Sequence, residues 1–257
     1  MIDLHAHVLP GLDDGPETLE DALKLLRAAA RDGVRTVAAT PHLRADFPGV
    51  DVRTIAPLCV ALNRAIAPQC EIEVVPGGEV DLVWALDASP EELRLASYGQ
   101  RGAYLLVETP YGPLPSTLED LLYSVSIKGY QVLLAHPERN STFQADPSRL
   151  SRLVERGVLL QITAPSLTIA KRRSRSRELA LALVREGLAH VIASDAHSAG
   201  PWRPPSLRGA VAMAATVAPS RAEWMVTDAP AAVLAGERLP EAPASTQAPR
   251  RGLLRRR

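Results

Sequence analysis

Seven short apolar runs punctuate this chain, and six of them stop at a histidine or an acid. The runs are 2–4, 36–40, 71–75, 104–107, 131–135, 158–163 and 190–194. Most are continuously apolar rather than alternating, the pattern of parallel strands buried on both faces. Segments with helical period lie between them. The clearest starts at Thr18, whose hydroxyl can cap a helix while Asp21 completes a capping box. Leu19, Ala22, Leu23, Leu26 and Ala30 then form one apolar stripe, and Gly33 supplies a left-handed stop. Further helices are expected at 51–66, 116–128, 147–156, 175–187 and 206–217, with two short ones near 220–236. Such alternation predicts an α/β fold with a parallel sheet, either doubly wound or closed into a barrel.

The polar residues favour the barrel. His5 and His7 close the first run in DLHAH, two residues apart, so both imidazoles point to the same side of an extended chain. His42 follows the second run in ATPH, and Glu79 follows the third after PGG. Glu108 ends the fourth in LVETP, His136 the fifth in AHPER, and Asp195 and His197 the seventh in SDAH. Any one of these could be an ordinary cap or surface charge. Placed at the carboxyl ends of six strands, they would converge on one face of a closed parallel barrel. So many carboxylates in one mouth would raise one another's pKa values unless a cation joined them. Imidazole and carboxylate without thiolate suit Mn²⁺, Fe or Zn²⁺, and the set is large enough for two or three ions. Clusters of this kind clamp a phosphoryl group and activate a hydroxide.

Composition removes other classes. The 257 residues include 29 Lys+Arg and 29 Asp+Glu, so no overall basic bias points to nucleic acid. With aromatics at 4%, Leu, Val, Ile and Ala must build the core. Cys59 and Cys70 are too few for a disulfide scaffold and read as structural thiols in a reducing compartment. Neither is followed by Arg six positions on, so a cysteine-nucleophile phosphate loop is absent. No apolar run is long enough to span a membrane, and the expected location is cytoplasmic.

The motifs MIDLHAHVLPGLDDG, ATPH, LVETP, AHPER and SDAHSAGPWRP resemble the polymerase-and-histidinol-phosphatase (PHP) superfamily. Within it they are similar to the bacterial manganese-dependent tyrosine-protein phosphatases of the CpsB/YwqE type. The resemblance runs from Met1 to about Gly236. It implies a distorted (β/α)7 TIM-like barrel over 1–238 with a trinuclear cluster at the carboxyl ends of the strands, Mn²⁺ being the expected metal. His5, His7 and Asp195 would hold a first ion, with Glu79 bridging toward a second completed by Glu108 and His136. His42 and His197 would hold the third with Asp14, although Asp13-Asp14-Gly15 also reads as a plain turn. Arg139 and Arg203 match positions that approach the substrate phosphate, where a guanidinium meets two oxygens at once. Pairing of Arg139 with Glu138 is the alternative.

The implied reaction is hydrolysis of phosphotyrosine by a metal-activated hydroxide, the implied partner a bacterial tyrosine kinase of capsule or exopolysaccharide production. A small phosphomonoester such as histidinol phosphate is the alternative substrate, and a non-catalytic metal-stabilised binding module the alternative role. The chain departs from its relatives at Leu43, where a second histidine is common, and segment 44–50 carries no motif matched to them, so the resemblance assigns it no substrate contact. Residues 239–257, rich in Pro and Ala with five arginines among the last eight, are expected to form a disordered tail. Such a tail could meet an anionic membrane surface peripherally.

Overall fold

The computed structural model describes residues 1–244 except 111, 169, 170 and 172, so the arginine-rich run expected as a tail lies, from 245 on, outside the described residues. The nine strands named here are β1 (Ile2–Ala6), β2 (Thr36–Ala39), β3 (His42–Leu43), β4 (Glu73–Pro76), β5 (Glu79–Asp81), β6 (Tyr104–Glu108), β7 (Gln131–Ala135), β8 (Leu159–Thr163) and β9 (Val191–Ala193). Every pairing is parallel, in the orders β1-β2-β4 and β3-β5-β6-β7-β8-β9. The architecture is α/β, as the alternation predicts. A parallel bridge joins Ala6 to Ala196. Beside it the Asp195 N–H donates to the His5 carbonyl at 2.8 Å, and the His7 N–H donates to the Ala196 carbonyl at 2.8 Å.

Two expected strands, 36–40 and 71–75, are each followed after a short break by a second strand, β3 and β5, that the sequence reading does not include. Thr36 to Leu43 parts at Thr40-Pro41, where proline has no N–H for a ladder; its carbonyl still accepts from the Glu79 N–H at 3.1 Å. Glu73 to Asp81 parts at Gly77-Gly78. There a Cβ on Gly78 would stand 2.6 Å from Leu43 Cδ1, so the backbone passes a neighbour that any side chain would strike. The first strand is irregular as well: its register against β2 shifts between Asp3 and Ala6. Bulges re-aim side chains, and this one lies where the chain turns His5 and His7 toward the site.

Strands are buried on both faces. On β6, Leu105 and Val107 join the larger core cluster under the helices, while Tyr104 and Leu106 join a smaller one with Leu4, Leu133 and Val191. The Tyr98 hydroxyl, fully inside, donates to the Leu4 carbonyl at 2.8 Å. Leu239 and Ala242 pack against this core from the chain's last described stretch.

Helix α1 (Leu19–Asp32) begins and ends where expected, with Gly33 left-handed at φ 99°. Its capping box is only half formed. The Thr18 hydroxyl accepts from the Asp21 N–H at 3.2 Å, but the Asp21 carboxylate takes that hydroxyl's proton and the Lys24 ammonium rather than the Thr18 N–H. A complete box forms instead between Ser89 and Glu92, opening Pro90–Ala96. That helix and its neighbour Leu82–Asp87 are absent from the sequence expectation, being six and seven residues long and too short for a period to show.

At the opposite end from the carboxyl termini of the strands, His190 accepts the Leu160 N–H on Nδ1 at 3.1 Å. Burial, and then the charge of Arg221, push its pKa down from 6.5 to about 4. The unfolded chain therefore takes up a proton below pH 6.5 that the folded one refuses until about pH 4. Stability is present above that window and falls through it, by on the order of 3 kcal/mol. Urea unfolding at pH 7 and pH 4.5 should show this loss diminished in His190→Gln; an equal loss in both proteins would assign it to other groups.

Candidate metal centre

All nine expected ligands meet at the carboxyl ends of the strands. Glu79 occupies the middle, 1% exposed. Its Oε2 lies 2.9 Å from His42 Nδ1, 3.3 Å from His5 Nε2 and 3.4 Å from His7 Nε2, and its Oε1 lies 2.8 Å from His136 Nε2. Register puts His42 opposite Glu79 and Glu108 opposite Asp81, so Glu108 stands two residues higher. From there it approaches His136 at 3.7 Å. On the other side Asp195 Oδ1 is 3.4 Å from His5 Nε2 and 3.7 Å from His7 Nε2. Asp14 Oδ1 is 3.2 Å from His197 Nε2 and 3.5 Å from His42 Nε2, so the turn at 13–15 does bring Asp14 in.

Three imidazoles are oriented from behind. His5 Nδ1 faces Gln161 Oε1 at 3.1 Å, His7 Nδ1 faces Asp13 Oδ2 at 2.5 Å, and His197 Nδ1 faces the Asp195 carbonyl at 3.0 Å. An acceptor on Nδ1 draws the proton there and leaves the Nε2 lone pair for the centre. The buried polar atoms that lack a hydrogen-bond partner among the described residues include His5 Nε2, His7 Nε2, His42 Nδ1, Glu79 Oε2 and Asp195 Oδ1. Unpaired buried polar atoms are costly and rare; five converging in one place fit a cation.

Ligand-atom geometry groups His7, Asp14, His42 and His197; His5, His7 and Asp195; His5, Glu79 and His136; and His42, Glu79 and Glu108. His7 thus belongs to two groups, where the motif assignment gave it to one. Charges run as such a cluster requires. Burial opposes protonation of His42, yet Asp14 and Glu79 raise it to about 9. Burial followed by the Glu79 charge pushes Glu108 up. For Asp195, burial is outweighed by His5, His136 and Arg203, which hold it well down.

Backbone strain gathers here too. Of four non-glycine residues with positive φ among the described residues, three are His136 (33°), Asp195 (53°) and Arg203 (48°). Such conformations cost of order 1–3 kcal/mol each and persist where the surroundings hold them. Arg139 does not pair with Glu138. It donates to Asp195 Oδ2 at 2.7 Å, and Arg203 Nη2 donates to the same oxygen. Glu138 turns inward, fully buried, and its Oε1 accepts from the Thr163 N–H at 2.9 Å and from the Thr163 and Ser166 hydroxyls. Cys59 is core, its thiol pushed up to about 12 by burial, and is no nucleophile.

Sequence reasoning missed Asp13, Arg44 and Phe47. Asp13 holds His7 and also accepts the His42 N–H at 3.1 Å. Gly15 lets that loop close down, since a Cβ there would stand 2.7 Å from the His7 carbonyl. Arg44 reaches Glu108 Oε2 at 2.7 Å, and Phe47 stacks on His42 with ring centres 4.9 Å apart. The usable signal was spacing: Arg44 follows His42 by two residues, the same-side period of an extended chain. Asp13→Asn is expected to weaken metal affinity by about 10–100-fold, the usual cost of losing an orienting carboxylate. Titrating the variant with Mn²⁺ by calorimetry checks it, and unchanged affinity would make Asp13 a mere turn residue.

An α/β fold with parallel sheets and a buried histidine–carboxylate cluster at the strand ends defines a hydrolase-like metal centre as the class. The model of the capsular polysaccharide synthesis family CpsB/CapC matches residues 1–235, and the chain belongs to that family. It is 36% identical over 199 residues to tyrosine-protein phosphatase YwqE of Bacillus subtilis, covering 77% of this chain and 78% of the relative. It is 27% identical to tyrosine-protein phosphatase CpsB of Streptococcus pneumoniae, over 82% and 88% of the two chains. Crystal structures of YwqE and CpsB, described as unique metal-dependent tyrosine phosphatases, include a chain that superposes with TM-score 0.80 at 32% identity. That match covers 96% of this chain and 100% of the other. A β-aspartyl dipeptidase from Fervidobacterium islandicum shares the fold alone, with TM-score 0.54 and 14% identity over 91% and 73%.

Proposed function

We propose that this chain is a metal-dependent protein-tyrosine phosphatase of capsule or exopolysaccharide production, acting on a bacterial tyrosine kinase. The observation that carries the reading is the set of five unpaired ligand atoms around Glu79, in a chain whose relatives bear that activity in their names. In this reading β2 with β3, and β4 with β5, count as single strands, and the bridge at Ala6 closes a distorted (β/α)7 barrel. His5, His7 and Asp195 would hold one ion, Glu79 with His136 and Glu108 a second, and Asp14, His42 and His197 a third. Mn²⁺ is the expected metal, with Fe or Zn²⁺ suited by the same donors.

Bound divalent ions would supply an activated water for attack on phosphorus and neutralise the leaving oxygen. The chain's own part is to place the ester. Arg139 and Arg203 meet over Asp195 and can grip the non-bridging oxygens, stabilising the charge that grows as phosphorus is attacked. Phe47 on His42 and the exposed Trp202, edge-on to His197 at 5.3 Å, offer aromatic walls to an aryl ester. A phenolate leaving group, with a pKa of about 10, asks for less protonation than an alkoxide. The ligand shell therefore needs no separate general acid for this substrate.

The test is to measure metal content and then compare a phosphotyrosine peptide with histidinol phosphate across Mn²⁺, Zn²⁺, Fe²⁺ and Mg²⁺. The reading expects kcat/KM to favour the peptide by at least about tenfold, 1.4 kcal/mol in the barrier. A preference for histidinol phosphate would move the chain to small esters. Metal-loaded protein unable to cleave p-nitrophenyl phosphate would make it a binding module.

A further inference from the structure

A cavity of about 320 Å³ opens at the end of the strands opposite the metal centre. Tyr104 begins β6 where Glu108 ends it, so the cavity lies about 13 Å from the metal centre at 3.3 Å per residue. Arg221, Trp224, Arg238 and His190 line it with Tyr104 and Leu239. Two of these carry buried donors without a hydrogen-bond partner among the described residues: Arg221 Nε and Trp224 Nε1. Trp224 is only 5% exposed, and an indole N–H so placed ordinarily finds an acceptor. The Arg221 guanidinium sits over the Trp224 ring at 5.4 Å, and a long 3.4 Å contact to the Ala189 carbonyl is its hydrogen bond among the described residues. Burial lowers its pKa, with no carboxylate offsetting the effect. The other polar side chains are engaged: Tyr104 donates to the Glu237 carbonyl at 2.6 Å, Gln131 donates to the Gly157 carbonyl, and His190 accepts from Leu160. What remains is two guanidinium groups, an indole N–H and an apolar wall, with no acid among the lining residues.

We propose that this cavity is a ligand site separate from the metal centre, for a small phosphorylated molecule with an aromatic or apolar body. Its phosphate is held by Arg221, Arg238 and the Trp224 N–H, and its body rests against Tyr104 and Leu239. Two guanidinium groups match a dianion, and guanidinium paired with an N–H donor suits phosphate oxygens.

Phenylphosphonate, which cannot be hydrolysed as an ester, is the probe, with inorganic phosphate as a second arm. The full chain is labelled with ¹⁵N and given diamagnetic Zn²⁺. Its three tryptophan indole resonances are then followed, that of Trp224 being assigned through Trp224→Phe. The Trp224 resonance should move saturably with phenylphosphonate and less with phosphate. Arg221→Met should weaken that response by at least about tenfold, and Arg139→Ala should leave it unchanged. Arg238→Ala, at an exposed residue, should weaken it in the same direction. The proposal is overturned if Trp224 stays still while the Trp202 resonance shifts, which would confine the probe to the metal centre. It is equally overturned if both arginine variants respond as tightly as the parent.

Discussion

Glu79→Ala is expected to remove at least one metal ion per chain and to lower kcat/KM by at least about 10³-fold, 4 kcal/mol in the barrier. Its two oxygens stand among four imidazoles, those of His5, His7, His42 and His136, at 2.8 to 3.4 Å. No other carboxylate in the cluster touches as many. Burial alone would protonate such a group, but the imidazoles, led by His5, hold its pKa well below the ordinary range, so it is an anion ready for cations. Glu79→Gln keeps the shape and removes the charge. It should lose metal nearly as badly, which separates electrostatics from packing. Glu108→Ala should be milder by about tenfold, because Glu108 approaches one histidine and is otherwise engaged by Arg44. Elemental analysis of the purified variants beside peptide hydrolysis decides the matter. A Glu79→Ala protein with full metal content and near-parental turnover would remove Glu79 from the centre of the site.

The second large effect is expected from the arginines. Arg139→Ala and Arg203→Ala should each cost about 10²–10³ in kcat/KM, the range seen when one donor to a developing oxyanion is lost. Metal content should not change, which distinguishes these variants from the ligand variants. Lysine should rescue neither, since an ammonium cannot reproduce a two-pronged contact. Because both guanidinium groups end on Asp195 Oδ2, their losses should not add: the double variant should fall short of the product of the two. A strictly multiplicative double variant, or one that loses metal, would place the arginines in the ligand framework instead of on the substrate.

Much of this site could be read in the chain itself. A histidine or acid at the end of an apolar run is a local fact, and six such endings in strand–helix alternation leave few folds that could collect them. The two-residue spacing of His5 and His7 already sets both rings on one side. Less was readable where a role depends on contacts far along the chain. Asp13 looks like half of a turn until His7 is seen 2.5 Å away. Arg44 and Phe47 lie in a segment with no motif, and matter through Glu108 and His42. Glu138 stands next to Arg139 in sequence yet is turned inward to Thr163 and Ser166, because a 3-10 turn after the left-handed His136 sends the two side chains apart. The short helices at 82–96 escaped for a different reason, having too few turns to show a period.

Residue order alone dictates which donor atoms exist and at which strand ends they sit, since strand period and turn chemistry act over a few residues. Which of them share an oxygen depends on the packed fold. That Glu79, not Glu108, is central follows from register, with His42 opposite Glu79 and Glu108 two residues higher. That His7 serves two groups follows from the irregularity in β1 and from Gly15 closing the 13–15 loop onto it. Register and close approach depend on how distant segments pack, and residue order does not carry that information locally.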